Sequence, residues 1–225
     1  MDEMVENQKT YLLSCWLPSG TFRLAPQNDQ INPYFTNLAL ISLVRLMVWE
    51  PVRSHIDWYL HHVNEDGYVN DYRLDASTEV DTGKADSEDS YHATLFSLLA
   101  EMIRANGETD WIEPRKDELV VLLQAVARLQ QKDGLTWAKR SYQVKYLMDN
   151  CEVARGFEDA AYVFSMLGDD SSAEEASNRA ARCRAGIHSS TADSVNRTRS
   201  MTEAFPDGEN GTLMSLHKPS LSFTK

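Results

Sequence analysis

The pattern that most constrains this chain is a threefold alternation of two kinds of helix. One is apolar on most of its circumference; the other carries a single apolar stripe. Residues 38–48 are apolar on nearly every side, as in a helix buried all round. Pro51 then opens a second helix whose apolar positions, Val52, Ile56, Tyr59, Leu60 and Val63, form one stripe. Residues 91–103 are again broadly apolar and stop at Asn106-Gly107, a helix C-cap signal. Leu119, Leu122, Leu123, Val126 and Leu129 make the next stripe. Residues 153–167 repeat the broad pattern and stop at Gly168. Ala173, Ala176, Ala180, Cys183 and Ile187 repeat the narrow one, with Ser171 and Ser172 as cap candidates. The broad helices begin near residues 35, 89 and 150, a period of about 54–61 residues. The fold class expected is all-α: three α/α hairpins over residues 1–188, with inner helices packed inside an outer layer.

The longest connections, residues 18–33, 64–85 and 133–148, all precede inner helices. Long loops in compact domains are usually functional. These three would emerge at one end of the hairpins. Residues 65–89 hold nine acids against Arg73 and Lys84, a large share of the net charge of −12. Such a balance, without a basic tract, argues against nucleic acid and anionic membranes as partners. The N-terminus shows no signal-peptide pattern, and no apolar run is long enough to span a bilayer, so a cytoplasmic location is expected. Cys15, Cys151 and Cys183 have neither disulfide-framework nor zinc spacing. No cofactor motif and no metal-ligand spacing occurs, so no cofactor and no metal are expected. Residues 189–225 are rich in Ser and Thr without apolar periodicity and read as a disordered or loosely docked tail.

Polar clusters open each inner helix: INPYFTN (31–37), DSEDSYHATL (86–95) and YLMDNCE (146–152). Helix capping explains any single Asp in such a place. Repetition at three corresponding places points to chemistry. Carboxylates from different helices facing one cleft split their pKa values, as acid–base cleavage of a glycosidic bond requires. Aromatic side chains beside the loops suit sugar rings. Tyr68 and Trp137 follow the Asp66-Gly67 and Asp133-Gly134 turns and are the expected ring binders. Residues 135–150 read as a short hairpin arm that carries Lys139, Arg140 and Lys145 toward the mouth, chiefly to balance Asp149. His61 and His62 are expected in solvent and His92 near the mouth.

These phrases, together with SGTF (19–22) ahead of INPYFTN and MLGD closing the third inner helix, resemble the six-hairpin glycosidase-like superfamily of (α/α)6 toroids. The resemblance spans roughly residues 10–188. It implies a glycoside hydrolase acting on an oligo- or polysaccharide. It implies Asp86, Asp89 and Asp149 as catalytic carboxylates, with Asp86 or Asp89 as acid and Asp149 as base or nucleophile. Tyr34, Asn37, Tyr91 and Asn150 would line the sugar cleft, joined by Tyr68, Trp137, Lys145 and Glu152. The family has six hairpins and this sequence shows three, about half the length of a closed ring. A fragment, or a chain that self-associates or pairs with a second half-domain, is therefore expected. Two readings compete with the hydrolase. One is a sugar epimerase or lyase on the same toroid. The other is a non-catalytic helical scaffold that binds carbohydrate or protein.

Overall fold

The computed structural model describes residues 3–203, with side chains through Ser190. The described residues through Ser189 form one compact unit. The described chain is mostly helical, with a small three-stranded sheet. The helices are α1 (Glu3–Ser14), α2 (Pro33–Arg45), α3 (Trp49–His61), α4 (Glu88–Asn106), α5 (Lys116–Leu129), α6 (Leu147–Met166) and α7 (Asp170–Glu203). A single turn of 3-10 helix, Glu113–Arg115, leads into α5. The expected tail, residues 189–225, is helical through Glu203 as the end of α7, and its residues 204–225 lie outside the described residues.

Three helix pairs follow in order: α2/α3, α4/α5 and α6/α7. α4 is the broadly buried member of its pair, whereas α2, expected to be buried all round, buries six of its 13 residues against seven of 13 in α3, because Phe35 and Leu38 on one side of it face solvent. α4 lies between α2 and α6 and packs on both. Thirteen of its 19 residues are buried. A continuous core joins Leu43 and Val44 of α2, Leu95, Leu98 and Met102 of α4, and Val153, Phe157 and Phe164 of α6. α5 contributes Leu119, Leu122 and Leu123, and α7 contributes Ala176, Ala180 and Cys183. Each of these helices buries one stripe, as its spacing requires.

Local chemistry sets the helix ends. Asn32 caps α2: its Oδ1 accepts the Phe35 N–H at 3.0 Å, and Pro33 supplies the first helical position. Gly107 closes α4 at φ 70°, its N–H returning to the Ile103 carbonyl. Pro51 sits inside the first turn of α3 rather than at its start, because the helix begins at Trp49. α7 is capped by Asp169, not by Ser171 or Ser172; Asp169 accepts from the Ser172 N–H and hydroxyl at 3.1 and 2.7 Å.

The seam between α4 and α6 is unusually close. A Cβ on Gly156 would sit 2.5 Å from the Ala93 Cα and Cβ. Further along, fully buried Asp159 of α6 pairs with Arg104 of α4 at 2.7 Å and with Arg155 at 2.8 Å. A buried carboxylate is tolerated there because both oxygens are paired.

Two further features depart from the sequence reading. α1 was not expected: none of its residues is fully buried, so it carries no clear apolar stripe, though Leu12 and Leu13 rest on the core. The second long loop is also not irregular throughout. It holds β2 (Tyr72–Asp75) and β3 (Thr78–Asp81), which with β1 (Gln30–Ile31) form an antiparallel sheet in the order β1-β2-β3. Ala76, at φ 55°, makes the tight turn between β2 and β3. The third loop forms only isolated bridges, Gln130 to Thr136 and Lys139 to Tyr142.

All three long loops precede inner helices and meet at the N-terminal ends of α2, α4 and α6. The flanking inner helices keep apolar side chains in solvent: Phe35 and Leu38 on α2, Leu147 and Met148 on α6. No helix among the described residues is long and apolar enough to cross a membrane.

Candidate functional site

Where the three inner helices begin, carboxylates from three segments come together. Asp71 arrives on the loop before β2. Asp86, Glu88 and Asp89 surround the start of α4. Asp149 and Glu152 lie in the first two turns of α6. Each is held by a different device.

Asp71 accepts the Tyr91 hydroxyl at 2.7 Å and the Asn32 side-chain amide at 3.0 Å. The same Asn32 amide reaches the Tyr91 oxygen at 2.8 Å, and the Asp86 N–H reaches it at 3.2 Å. The residue that caps α2 therefore also ties the sheet to α4. Glu152 accepts the Tyr34 hydroxyl at 2.7 Å through Oε1. Its Oε2 is buried and has no hydrogen-bond partner. Asp149, 7% exposed, takes a 3.2 Å bond from the Ser87 hydroxyl.

Asp89 is different. It is fully buried and receives the hydroxyls of Thr136 and Ser87, both at 2.6 Å, and the Ser90 N–H at 2.8 Å. Asp89 joins the third loop to α4 and is closed off from solvent. The expectation that it touches substrate is corrected: no ligand atom can approach a carboxylate enclosed in this way.

The cluster is electrically coupled. Burial raises Asp149, Glu152 and Asp71 above the usual carboxylate range, and the hydroxyl bond to each opposes the shift. The charge of Asp86 pushes Asp149 and Asp71 further up, and the charge of Asp149 does the same to Glu152. Burial pushes Asp89 up to about 6, against its three donors. Tyr34 and Tyr91 are raised by burial, then by Glu152 and Asp71 respectively. Asp86 itself is exposed. Its charge raises Tyr34, Asp71, Tyr91, Tyr146 and Asp149, in each case less than the leading cause does.

A cleft of about 670 Å³ opens beside Asp71 and Asp86, walled by Glu88, Lys139 and Arg140. Arg140 bridges Glu88 at 3.1 Å and Asp66 at 2.8 Å, and lies 4.2 Å over the Tyr68 ring. Lys139 donates to the Ala85 carbonyl at 3.1 Å. Tyr142 and Tyr146 stand exposed at the start of α6, 48% and 46% accessible, their rings 6.4 Å apart. A larger cleft of about 780 Å³ runs along α3 beside Trp16 and Trp58 and is lined by none of these clustered carboxylates.

Several expected cleft residues lie elsewhere. Tyr68 is 1% exposed: the Gly67 turn (φ 88°) sends it inward, and its hydroxyl donates to the Ala125 carbonyl at 2.9 Å. Asn37 is fully buried, donating to Tyr91 O and Thr94 Oγ1 at 3.1 Å and facing His55 at 3.0 Å. Asn150 is 1% exposed and clamps the third loop by accepting the Thr136 N–H at 2.7 Å. Tyr91 is also 1% exposed and supports Asp71 from beneath. Lys145 pairs with Asp133 at 2.5 Å instead of balancing Asp149. Trp137 is half-buried, and its backbone N–H donates to the Leu129 carbonyl at the end of α5. His92 is a core residue, bonded to Tyr59 and Gly67. His61 is exposed, but His62 stacks on Trp58 at 4.0 Å. Tyr34 and Glu152 are joined by a hydrogen bond, and the charges of Asp86 and Asp149 act on Tyr34.

Sequence reasoning missed Asp71, Asn32, Ser87 and Thr136. The Asn32-Pro33 pair was a readable cap signal. Nothing local distinguishes Asp71 from the other acids of its loop.

One consequence is testable on stability. Thr136→Val removes a donor from Asp89 and drives its carboxyl further up. We expect a loss of about 1–3 kcal/mol at neutral pH in urea unfolding, shrinking in acid as the carboxyl protonates. An unchanged midpoint at neutral pH would contradict this role for Asp89.

The sequence matches no protein-family model and no curated protein.

Proposed function

We propose that this chain is a carbohydrate-active protein of glycoside hydrolase type, in which Asp149 and Asp86 are the working carboxylates. One observation carries the reading. Carboxylates supplied by separate segments share one electrostatic neighbourhood at the mouth of the inner helices, with tyrosine hydroxyls interleaved. Asp149, raised by burial and by Asp86, suits proton donation to a leaving oxygen, the reverse of the base or nucleophile role expected for it from the sequence. Exposed Asp86 suits the base or nucleophile. Asp71 and Glu152, each holding a tyrosine hydroxyl, flank the pair. The finer fold assignment belongs to the same proposal. The three helix pairs form part of an (α/α)6-type arrangement, and exposed Phe35, Leu38, Leu147 and Met148 favour association with a second copy or a second half-domain. The free thiols Cys15, Cys151 and Cys183 fit a cytoplasmic setting.

The test is reducing-end release from a panel of soluble glycans by the full chain. Asp149→Asn and Asp86→Asn should each lower turnover of any responsive glycan by about 100-fold or more, with the circular dichroism spectrum retained. Unchanged turnover in both variants would sink the assignment. A binding module without turnover is the second reading, favoured by the sealing of Asp89 behind Ser87 and Thr136. Saturable glycan binding without bond cleavage would establish it instead.

A further inference from the structure

Arg23 stands apart from the other arginines of the chain. Among the described side chains, every other arginine pairs with a carboxylate or donates to a backbone carbonyl. Arg23 has no such partner among the described residues, and its Nε is buried without an acceptor. Arg53 Nε is open in the same way, but that guanidinium is paired with Glu108 at 2.6 Å. Acids are not scarce in this chain: 34 Asp and Glu stand against 22 Lys and Arg.

The backbone fixes where Arg23 sits. The first long loop folds back on the end of α1, with Phe22 bridging Trp16 in antiparallel fashion and their rings stacked 6.4 Å apart. The Arg23 N–H donates to the Cys15 carbonyl at 3.1 Å, and the Leu24 N–H to the Gln30 carbonyl at 2.9 Å. Glu79, which shares a neighbouring cavity with Arg23, accepts the Ser19 hydroxyl and the Trp58 indole N–H instead.

Arg23 also lines a cavity of about 440 Å³ between α1, this loop and α2. Buried Cys15, Phe22 and Leu40 form its inner wall, and exposed Tyr11 and Phe35 its rim. Arg23 is the one charged residue of the lining, and none of the clustered carboxylates at the inner-helix starts belongs to it. Burial pushes the Cys15 thiol up, while the Ser14 bond and then the Arg23 charge oppose the shift, so the guanidinium's field acts on the inner wall. Small-molecule sites have this character: about 300–1,000 Å³, mostly apolar, with few polar groups that fix orientation.

The lining also selects the ligand. Apolar walls call for an apolar body. A single guanidinium with no second cation beside it suits one negative charge, and its fork of N–H donors matches a carboxylate. A phosphate group, with more charge and more acceptors, would lack donors here.

We propose that the cavity between α1 and α2 binds an apolar monocarboxylate of the fatty-acid class, with its carboxylate on Arg23 and its chain along Phe22 and Leu40. This site is separate from the carboxylate mouth and does not depend on the carbohydrate reading.

The experiment is calorimetric titration of the full chain near neutral pH with octanoate. The comparison ligands are octanol, octylammonium and acetate. Octanoate should bind one per chain, about tenfold or more tightly than any of the three. Arg23→Gln should weaken octanoate about tenfold or more and leave octanol within about twofold, with the thermal midpoint of the unliganded variant near that of the parent. Ala39→Leu, which adds bulk to the lining on half-buried α2, should weaken octanoate and octanol alike. Octanol or octylammonium binding as tightly as octanoate would overturn the proposal, because the guanidinium would then select nothing. Full octanoate affinity in Arg23→Gln, or no saturable binding in the parent, would overturn it as well. A dimer in sedimentation that takes up no octanoate would put a second copy of the chain in the cavity instead.

Discussion

Gly156→Leu should abolish the folded protein, and Gly156→Ala should destabilise it by about 2–3 kcal/mol. On helix propensity alone the alanine variant would gain about 1 kcal/mol. Packing reverses that sign. An added Cβ would lie 2.5 Å from the Ala93 Cα and Cβ and 2.8 Å from the Ala93 carbonyl oxygen. These are mostly backbone atoms of the most buried helix, so no flexible side chain can move aside. α4 and α6 would have to separate along their whole seam, opening voids among Leu95, Phe96, Val153, Phe157 and Ala160. Gly168→Ala is the control. Nothing lies within 4 Å of its Cβ, and its cost is the strain of φ +68°, about 1 kcal/mol. Chemical unfolding of the two alanine variants separates the cases. A Gly156→Ala variant at least as stable as the parent would show that the inner helices are not packed this closely.

The second large effect is acid destabilisation through the buried histidines. His92 is fully buried, with Nδ1 facing the Tyr59 hydroxyl at 2.7 Å and Nε2 facing the Gly67 carbonyl at 2.8 Å. His55 lies between Thr21 at 3.1 Å and Asn37 at 3.0 Å. Burial lowers His92 to about 4 and His55 to about 3, from an ordinary 6.5. Both rings therefore stay neutral in the fold at pH values where the unfolded chain protonates them. The unfolded state then binds more protons, so stability falls as pH drops below 6.5, by about 1.4 kcal/mol per pH unit for each ring. The loss levels off for each ring below its folded value.

The raised carboxylates act in the opposite direction. Asp89, at about 6, takes up its proton in the fold before it would in the unfolded chain, so acid relieves part of its cost. A variant isolates the histidine contribution from this opposing one. The stability difference between the parent and His92→Gln should shift toward the variant by about 3 kcal/mol as pH falls from 6.5 to 4. Unfolding midpoints measured across that range test it. A difference independent of pH would mean that the His92 ring charges freely within the fold.

The same buried network shows why parts of the site could not be read from the sequence. His92 and Asn150 stand beside acids in the chain and Asn37 lies in the first turns of an inner helix, and they look like cleft residues for those reasons. Position along a helix does not say which face turns inward, and α4 turns nearly all of its faces inward. Tyr68 misled in a similar way. An Asp-Gly turn predicts a change of direction, which occurs, but not that the next residue enters a core pocket beside Ala125. Asp71 was overlooked because its importance comes from Asn32 and Tyr91, 39 and 20 residues away.

The sequence by itself determined the helical layout. Apolar period and Gly stops are local signals, and they located the three helix pairs and the end at which their long loops emerge. It also determined that the acids gather at that end. Only the tertiary structure decided which acid reaches solvent. Asp86 and Asp89 are three residues apart, yet one is exposed and the other sealed beneath Thr136, a residue 47 positions further along the chain. Accessibility of a carboxylate depends on what a distant loop lays over it, and that contact is a property of the packed fold.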